Sequence, residues 1–158
     1  MEEVTTKKLV AAGHICLDIT PTFPRERMNR IEEVLVPGRL IQMGKADVHT
    51  GGSVANTGLA MKILGADVAL MGKVGKDSFG ELVLSTLESY EASEGMTISE
   101  DSETSYSVVL APYGIDRIFL HDSGANDTFC IEDLNFNIIK QASIFHFGYP
   151  PLMKRMSA

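Results

Sequence analysis

Glycine punctuates the stretch from Gly51 to Tyr90, and the hydrophobic period changes around each glycine. After Gly51-Gly52, the residues Val54, Ala55, Leu59, Ala60, Met61, Ile63 and Leu64 predict a helix that is apolar on most sides and therefore buried. Gly65 stands where a helix stops. Three residues later Val68-Ala69-Leu70-Met71 is a continuous apolar run of strand length. A loop from Gly72 to Asp77 leads into a second helix, in which Phe79, Leu82, Val83, Leu87 and Tyr90 recur at helical spacing. Ser78 and Glu81 have the spacing of a capping box at its start. Strands and helices alternating through joints this short build a parallel sheet covered by helices, so the expected class is α/β.

The flanks extend that pattern. Leu9 to Ile15 reads as a buried strand, although a run this short also suits a helix. Pro21 and Pro24 then break the chain. From Ile31 to His49 the pattern is extended, with a turn at Pro37-Gly38, and predicts a small hairpin outside the main core. Tyr106 to Leu110 and Arg117 to Leu120, joined by Pro112-Tyr113-Gly114, predict another. Phe136 to Gln141 has the makings of a short helix, and Ile144 to Gly148 of a last buried strand. No helix follows to cover that strand, so these 158 residues are expected to be part of something larger.

Composition removes several function classes. Against 14 Lys and Arg stand 21 Asp and Glu, a net charge of -7. The densest basic cluster, Arg25, Arg27 and Arg30, is interrupted by Glu26 and followed by Glu32 and Glu33, so nucleic acid is not an expected partner. No run approaches the roughly 18 apolar residues of a membrane span, so none is expected. The charged Met1 to Lys8 does not read as a signal peptide. Two cysteines, Cys16 and Cys130, cannot build a disulfide framework and fit a reducing cytoplasm, with a single bridge between them left open.

Gly51-Gly52-Ser53-Val54-Ala55-Asn56 carries the most chemical information. Two glycines before a helix let a ligand approach the backbone where amides are free, and Asn56 offers a donor and an acceptor to a polyhydroxylated ligand. A tight turn into a buried helix explains the same residues without any ligand. His14, His49, His121 and His146 lie far apart without metal-ligand spacing, so no metal site is expected. Gly75-Lys76 lacks the Ser or Thr of a phosphate-binding loop, since Asp77 follows. Ser53 and His49 lack an orienting acid for a hydrolase triad.

Taken in order, Gly51-Gly52 with Asn56, Gly65, and Gly75 with Asp77 and Gly80 closely resemble the N-terminal signature of the ribokinase, or PfkB, family of sugar kinases. Ala12-Gly13 with Asp18 five residues on resembles the family's first strand and its substrate-binding Asp. Ser123-Gly124-Ala125-Asn126 resembles its Gly-Ala-Asn loop, and Phe145-His146-Phe147-Gly148 stands where its next central strand is expected. The resemblance runs from about Leu9 to Gly148. Val54 and Gly58 depart from the signature's preferred residues, and Cys16, Ser53 and Gly148 depart from ribokinase itself, which puts ribose in doubt as the substrate.

The resemblance implies a ribokinase-like α/β fold: a mainly parallel sheet with flanking helices and a small β-sheet lid from about 31–49 and 104–121, with residues 1–158 forming the N-terminal part of the domain. It implies ATP-dependent phosphorylation of a hydroxymethyl group on a sugar, a related polyol or a nucleoside by the complete enzyme. Asp18, Gly51, Gly52, Ser53 and Asn56 are then the substrate-binding residues. The family's catalytic base and most of its ATP pocket belong to a second half, so no catalytic residue is assigned here. ATP and Mg2+ are cofactors expected of the complete enzyme and not of this chain alone. Gly124-Ala125-Asn126-Asp127 is not equated with the family's Gly-Ala-Gly-Asp anion hole, because Asn126 replaces a glycine and no apolar helix follows. A homodimer through the lid strands is expected. The alternative is a non-catalytic carbohydrate-binding or dimerisation module of the same fold.

Overall fold

The computed structural model describes residues 7–25 and 29–157. Residues 1–6 of the charged N-terminus, together with Glu26 and Arg27, lie outside the described residues.

The body is a three-stranded parallel sheet in the order β4-β1-β9, formed by β1 (Lys8–Gly13), β4 (Val68–Met71) and β9 (Ala142–Gly148). Side chains alternate across a strand, and β1 uses both faces. Leu9 and Ala11 pack with Leu70 and Val68 beneath the helices, whereas Val10 and Ala12 pack with Met71, Leu134, Ile138 and Phe147 on the other side. Val10, Ala11 and Ala12 are fully buried, which explains why this strand is apolar on both faces from Leu9 to Ala12. The first helix is π-helical over Val54–Leu59 and ends as α1 (Ala60–Ile63). Gly58 lets it lie directly on the sheet, because a Cβ there would meet the side chains of Ala11 and Leu70.

The second helix, α2 (Ser78–Glu88), is capped differently from the expected box. Asp77 is the N-cap: its Oδ1 accepts from Gly80 N at 2.8 Å, and Oδ2 accepts from Thr104 N at 2.6 Å. Ser78 is already helical. A short parallel pair, β5 (Lys73–Gly75) with β6 (Thr97–Ser99), flanks α2 where the sequence reads only as loops. Three residues are too few to show a period. The short helix expected near 136 is α3 (Phe136–Ile139), capped by Asn135 Oδ1.

The lid is a four-stranded sheet in the order β3-β2-β7-β8. Its members are β2 (Cys16–Pro21), β3 (Ala46–Gly51), β7 (Tyr106–Leu110) and β8 (Ile118–Asp122). β2 pairs antiparallel to β3 and parallel to β7, and β7 pairs antiparallel to β8. The hairpin expected within residues 31–49 is corrected: only Ala46–Gly51 is a strand there, and its partner is Cys16–Pro21. Residues 31–45 hold a 3-10 turn at Ile31–Glu33 and loop. That loop is not idle. Val34, Ile41 and Met43 pack with Phe23, Val108, Leu110 and Ile118 as a small second core under one end of the lid.

Candidate functional site

The lid's register lines up four polar residues. Asp18 on β2 stands opposite His49 on β3 and Ser107 on β7, and Ser107 stands opposite His121 on β8. The adjacent row, Val48, Ile19, Val108 and Leu120, is apolar throughout and points to the other face. The polar row faces an open cleft of about 530 Å³ between lid and body. Cys16, Arg117 and Phe119 complete the lid side; His14, Gly52 and Asn56 face them from the body, with Tyr149 and Leu152 at one end.

Three of the expected substrate residues line this cleft: Asp18, Gly52 and Asn56. Asp18 is partly buried, with its Oδ2 4.0 Å from His49 Nε2 and its Oδ1 accepting from the Cys16 thiol at 3.3 Å. Asn56 is exposed on the first helix turn. Gly51 and Ser53 do not line the cleft. Gly51 supports Asp18 from behind, since a Cβ there would sit on the Asp18 carboxylate. Ser53 is buried against Gly148, and its hydroxyl donates to the His14 carbonyl at 3.4 Å, the role of a turn stabiliser. Gly52 adopts φ +83, and a Cβ would strike the His14 carbonyl, so glycine here answers a backbone demand as well as any ligand's.

Sequence reasoning missed the histidines. His14 and His121 lie 107 residues apart yet meet at 3.4 Å between their Nε2 atoms, and His121 Nδ1 lies 3.0 Å from the Ser107 hydroxyl. His14 is only 3% exposed, and its Nδ1 has no hydrogen-bond partner among the described residues. Burial, reinforced by His121, pushes its pKa from 6.5 down to about 4 despite the nearby Asp18. It is therefore a neutral imidazole at physiological pH. Burial, then the Asp18 charge, pushes the Cys16 thiol well above its ordinary pKa, so it stays protonated and serves as a donor. Cys16 and Cys130 are both free, and no disulfide joins them. The only advance signal for Ser107 and His121 was a polar residue at an alternate position of an apolar strand.

Asp127 lies outside the cleft and is engaged by Lys154, whose Nζ is 2.6 Å from its Oδ2. Among the described residues no three His, Cys, Asp or Glu side chains converge to hold a metal ion. None of the described helices is long and apolar enough to cross a membrane.

Comparison with known proteins agrees with this architecture. The family model for pfkB family carbohydrate kinases matches residues 6–156. A probable fructokinase of Arabidopsis thaliana is 27% identical over 143 residues, which are 89% of this chain and 40% of that protein. A putative sugar kinase of Pyrococcus horikoshii is 30% identical over 101 residues, 63% of this chain and 33% of that one. Among solved structures, a ribokinase from Giardia lamblia superimposes with a TM-score of 0.75 at 19% identity, covering 92% of this chain and 47% of its own. A fructokinase from Halothermothrix orenii gives 0.70 at 23% identity, covering 89% and 45%. The chain thus spans less than half the length of these relatives. With a family match across nearly all of its residues, and with the body sheet and lid arranged as described, the chain belongs to the pfkB family of carbohydrate kinases.

Proposed function

We propose that the cleft binds a sugar, a related polyol or a nucleoside, and that the complete enzyme phosphorylates a hydroxymethyl group of that ligand with ATP. This chain contributes the sugar-binding half and the lid. The observation that carries the reading is the polar row His49, Asp18, Ser107 and His121 opposite Gly52 and Asn56 across one cleft. A carboxylate accepts two hydroxyls through charge-assisted bonds, and an amide side chain both donates and accepts, which is the mixture a polyhydroxylated ligand needs. Phosphoryl transfer depends on holding acceptor and phosphate in line while neutralising charge, so fixing the sugar is half the task. ATP supplies the transferred group and Mg2+ the charge neutralisation. The described residues offer no carboxylate cluster to hold Mg2+. The cysteines, both free thiols, suit a reducing cytoplasm.

The names of the relatives make D-fructose and D-ribose the first sugars to test. Calorimetry should detect binding of one of them by this chain, and Asp18→Ala should weaken it by about 1.5–3 kcal/mol, the worth of a charged hydrogen bond. Unchanged affinity in Asp18→Ala overturns the assignment. The chain alone is expected to lack sugar-dependent ATP turnover.

The apolar row on the lid's other face favours a second reading, a homodimer through the lid. Val48 is 52% and Leu120 54% exposed, at opposite edges of that row. The central Ile19 and Val108 of that row already pack within the chain, so a second copy would cover the two exposed edges at Val48 and Leu120.

A further inference from the structure

We infer that Tyr149 is a ligand-contacting residue of the cleft: its ring is a wall against which the bound molecule lays the apolar C–H face of its sugar ring. The inference rests on the sugar site proposed above and adds a residue to it.

Tyr149 joins β9, the last strand of the body, to a 3-10 turn at Pro150–Leu152. Its backbone is left-handed, at φ 60 and ψ 44. That conformation crowds the Cβ of any L-residue, and a following proline favours extended backbone instead. The turn explains the backbone: the Tyr149 carbonyl accepts from Leu152 N at 3.0 Å, and the fully buried Met153 anchors the far side. It does not explain the side chain, because glycine would meet the same demand without the crowding. Packing within the chain does not explain it either. Tyr149 is 54% exposed, and its one aromatic contact among the described residues is His14, at 5.9 Å between ring centroids and 67° between planes. Glu91 is the other non-glycine residue with positive φ among the described residues, and it is polar and stands just past α2, where left-handed caps are common. A bulky aromatic held in a crowded backbone for so little internal contact is the pattern of a residue kept for something outside the chain. Tyr149 lines the cleft at the end it shares with Leu152. Asp18 and Asn56 suit a ligand's hydroxyls, but a sugar ring also has a C–H face with no strong hydrogen bonds to make. The face of an aromatic ring is electron-rich and suits those polarised C–H groups.

Three variants separate the ring from the backbone. Tyr149→Ala removes the ring and keeps the crowded Cβ, Tyr149→Gly removes both, and Tyr149→Phe keeps both. Urea unfolding should find Tyr149→Gly more stable than Tyr149→Ala, the reverse of the usual order, since glycine elsewhere adds unfolded-state entropy. Calorimetry uses whichever of D-fructose and D-ribose the unaltered chain binds. Tyr149→Ala and Tyr149→Gly should both bind it about tenfold more weakly, equivalent to roughly 55 Å² of apolar contact. Tyr149→Phe should bind within about twofold of the unaltered chain, because the ring face is kept. Full affinity in the alanine and glycine variants, with Asp18→Ala still weakening binding, overturns this proposal and leaves the sugar site standing. A tenfold loss in Tyr149→Phe also rejects the wall, because the hydroxyl would then be the contact. An alanine variant more stable than the glycine variant removes the crowded backbone from which the inference starts and rejects it without any sugar. Binding of neither sugar by the unaltered chain removes the sugar site, and this proposal with it.

Discussion

The side-chain amide of Asn126 makes both hydrogen bonds open to the backbone of Ile15: Nδ2 donates to Ile15 O at 2.8 Å, and Oδ1 accepts from Ile15 N at 3.1 Å. Both residues are fully buried. Ile15 sits where the chain leaves the body sheet and enters the lid, between β1 and β2, so no neighbouring strand supplies those bonds. Asn126 substitutes for one. A buried peptide needs both partners, and asparagine is a residue that donates and accepts from one planar group.

Asn126→Ala should therefore orphan an N–H and a C=O together and destabilise the chain by about 2–5 kcal/mol. Asn126→Asp should also destabilise, because a carboxylate facing the Ile15 carbonyl cannot donate. Urea unfolding measures both. A loss under about 1 kcal/mol for the alanine variant would show that water replaces the amide.

Gly51→Ala and Gly52→Ala separate binding from folding. A Cβ on Gly51 displaces the Asp18 carboxylate, so affinity for the bound sugar should fall at least tenfold, while the melting temperature barely moves. Gly52→Ala places alanine at φ +83 against the His14 carbonyl and should instead lower stability by roughly 1–2 kcal/mol or more. Calorimetry with thermal unfolding distinguishes the two; full affinity in Gly51→Ala contradicts the part given to Asp18.

Asp77 links the start of α2 to the strand leading into the lid. Removing both bonds in Asp77→Ala should cost about 2–4 kcal/mol. Burial opposes its ionisation, but the amides of Gly80 and Thr104 outweigh that and hold its pKa below the ordinary 3.8. A carboxylate with a lowered folded pKa stabilises fully above the unfolded value and loses that contribution as pH falls through the folded one. Urea midpoints should thus drop below about pH 4, and Asp77→Asn should show a smaller drop. Identical acid profiles would remove Asp77 from the account.

The apolar lid row predicts self-association. Light scattering should find a dimer or larger species, and Leu120→Lys should shift it toward monomer, since a charge at a 54% exposed position is harmless only when nothing covers it. A clean monomer of the unaltered chain rejects association, and a dimer indifferent to Leu120→Lys rejects this surface.

Local chemistry was enough to predict the body. The glycine joints and the runs at Val10 and Leu70 announce buried parallel strands, because a strand covered on both faces is apolar on both. Ile144 to Gly148 does form a parallel strand, but not the buried one expected: β9 is an edge strand whose Ile144 and Phe145 are exposed. The helix expected to be buried likewise covers the sheet with one side only and leaves Ile63 and Leu64 exposed. Asp18, Gly52 and Asn56 were legible through the order of their motifs. Cys16–Pro21 was not recognised as a lid strand, because β2 follows β1 after two residues and its partners lie 25 to 89 residues away. Register was likewise out of reach: nothing local says that Ser107 faces Asp18 and His121, yet a slip of one residue would turn the whole polar row out of the cleft. Ser53 shows the reverse case, a motif residue that packing claimed for the turn. Sequence alone therefore determined where the central strands of the body run and which glycines must be glycines, since those are short-range demands of burial and backbone geometry, whereas the exposure of β9 and of the helix end at Ile63 and Leu64 depended on what packs beside them. The pairing of His14 with His121 was decided only by the tertiary packing of lid against body, which brings residues 107 positions apart within reach.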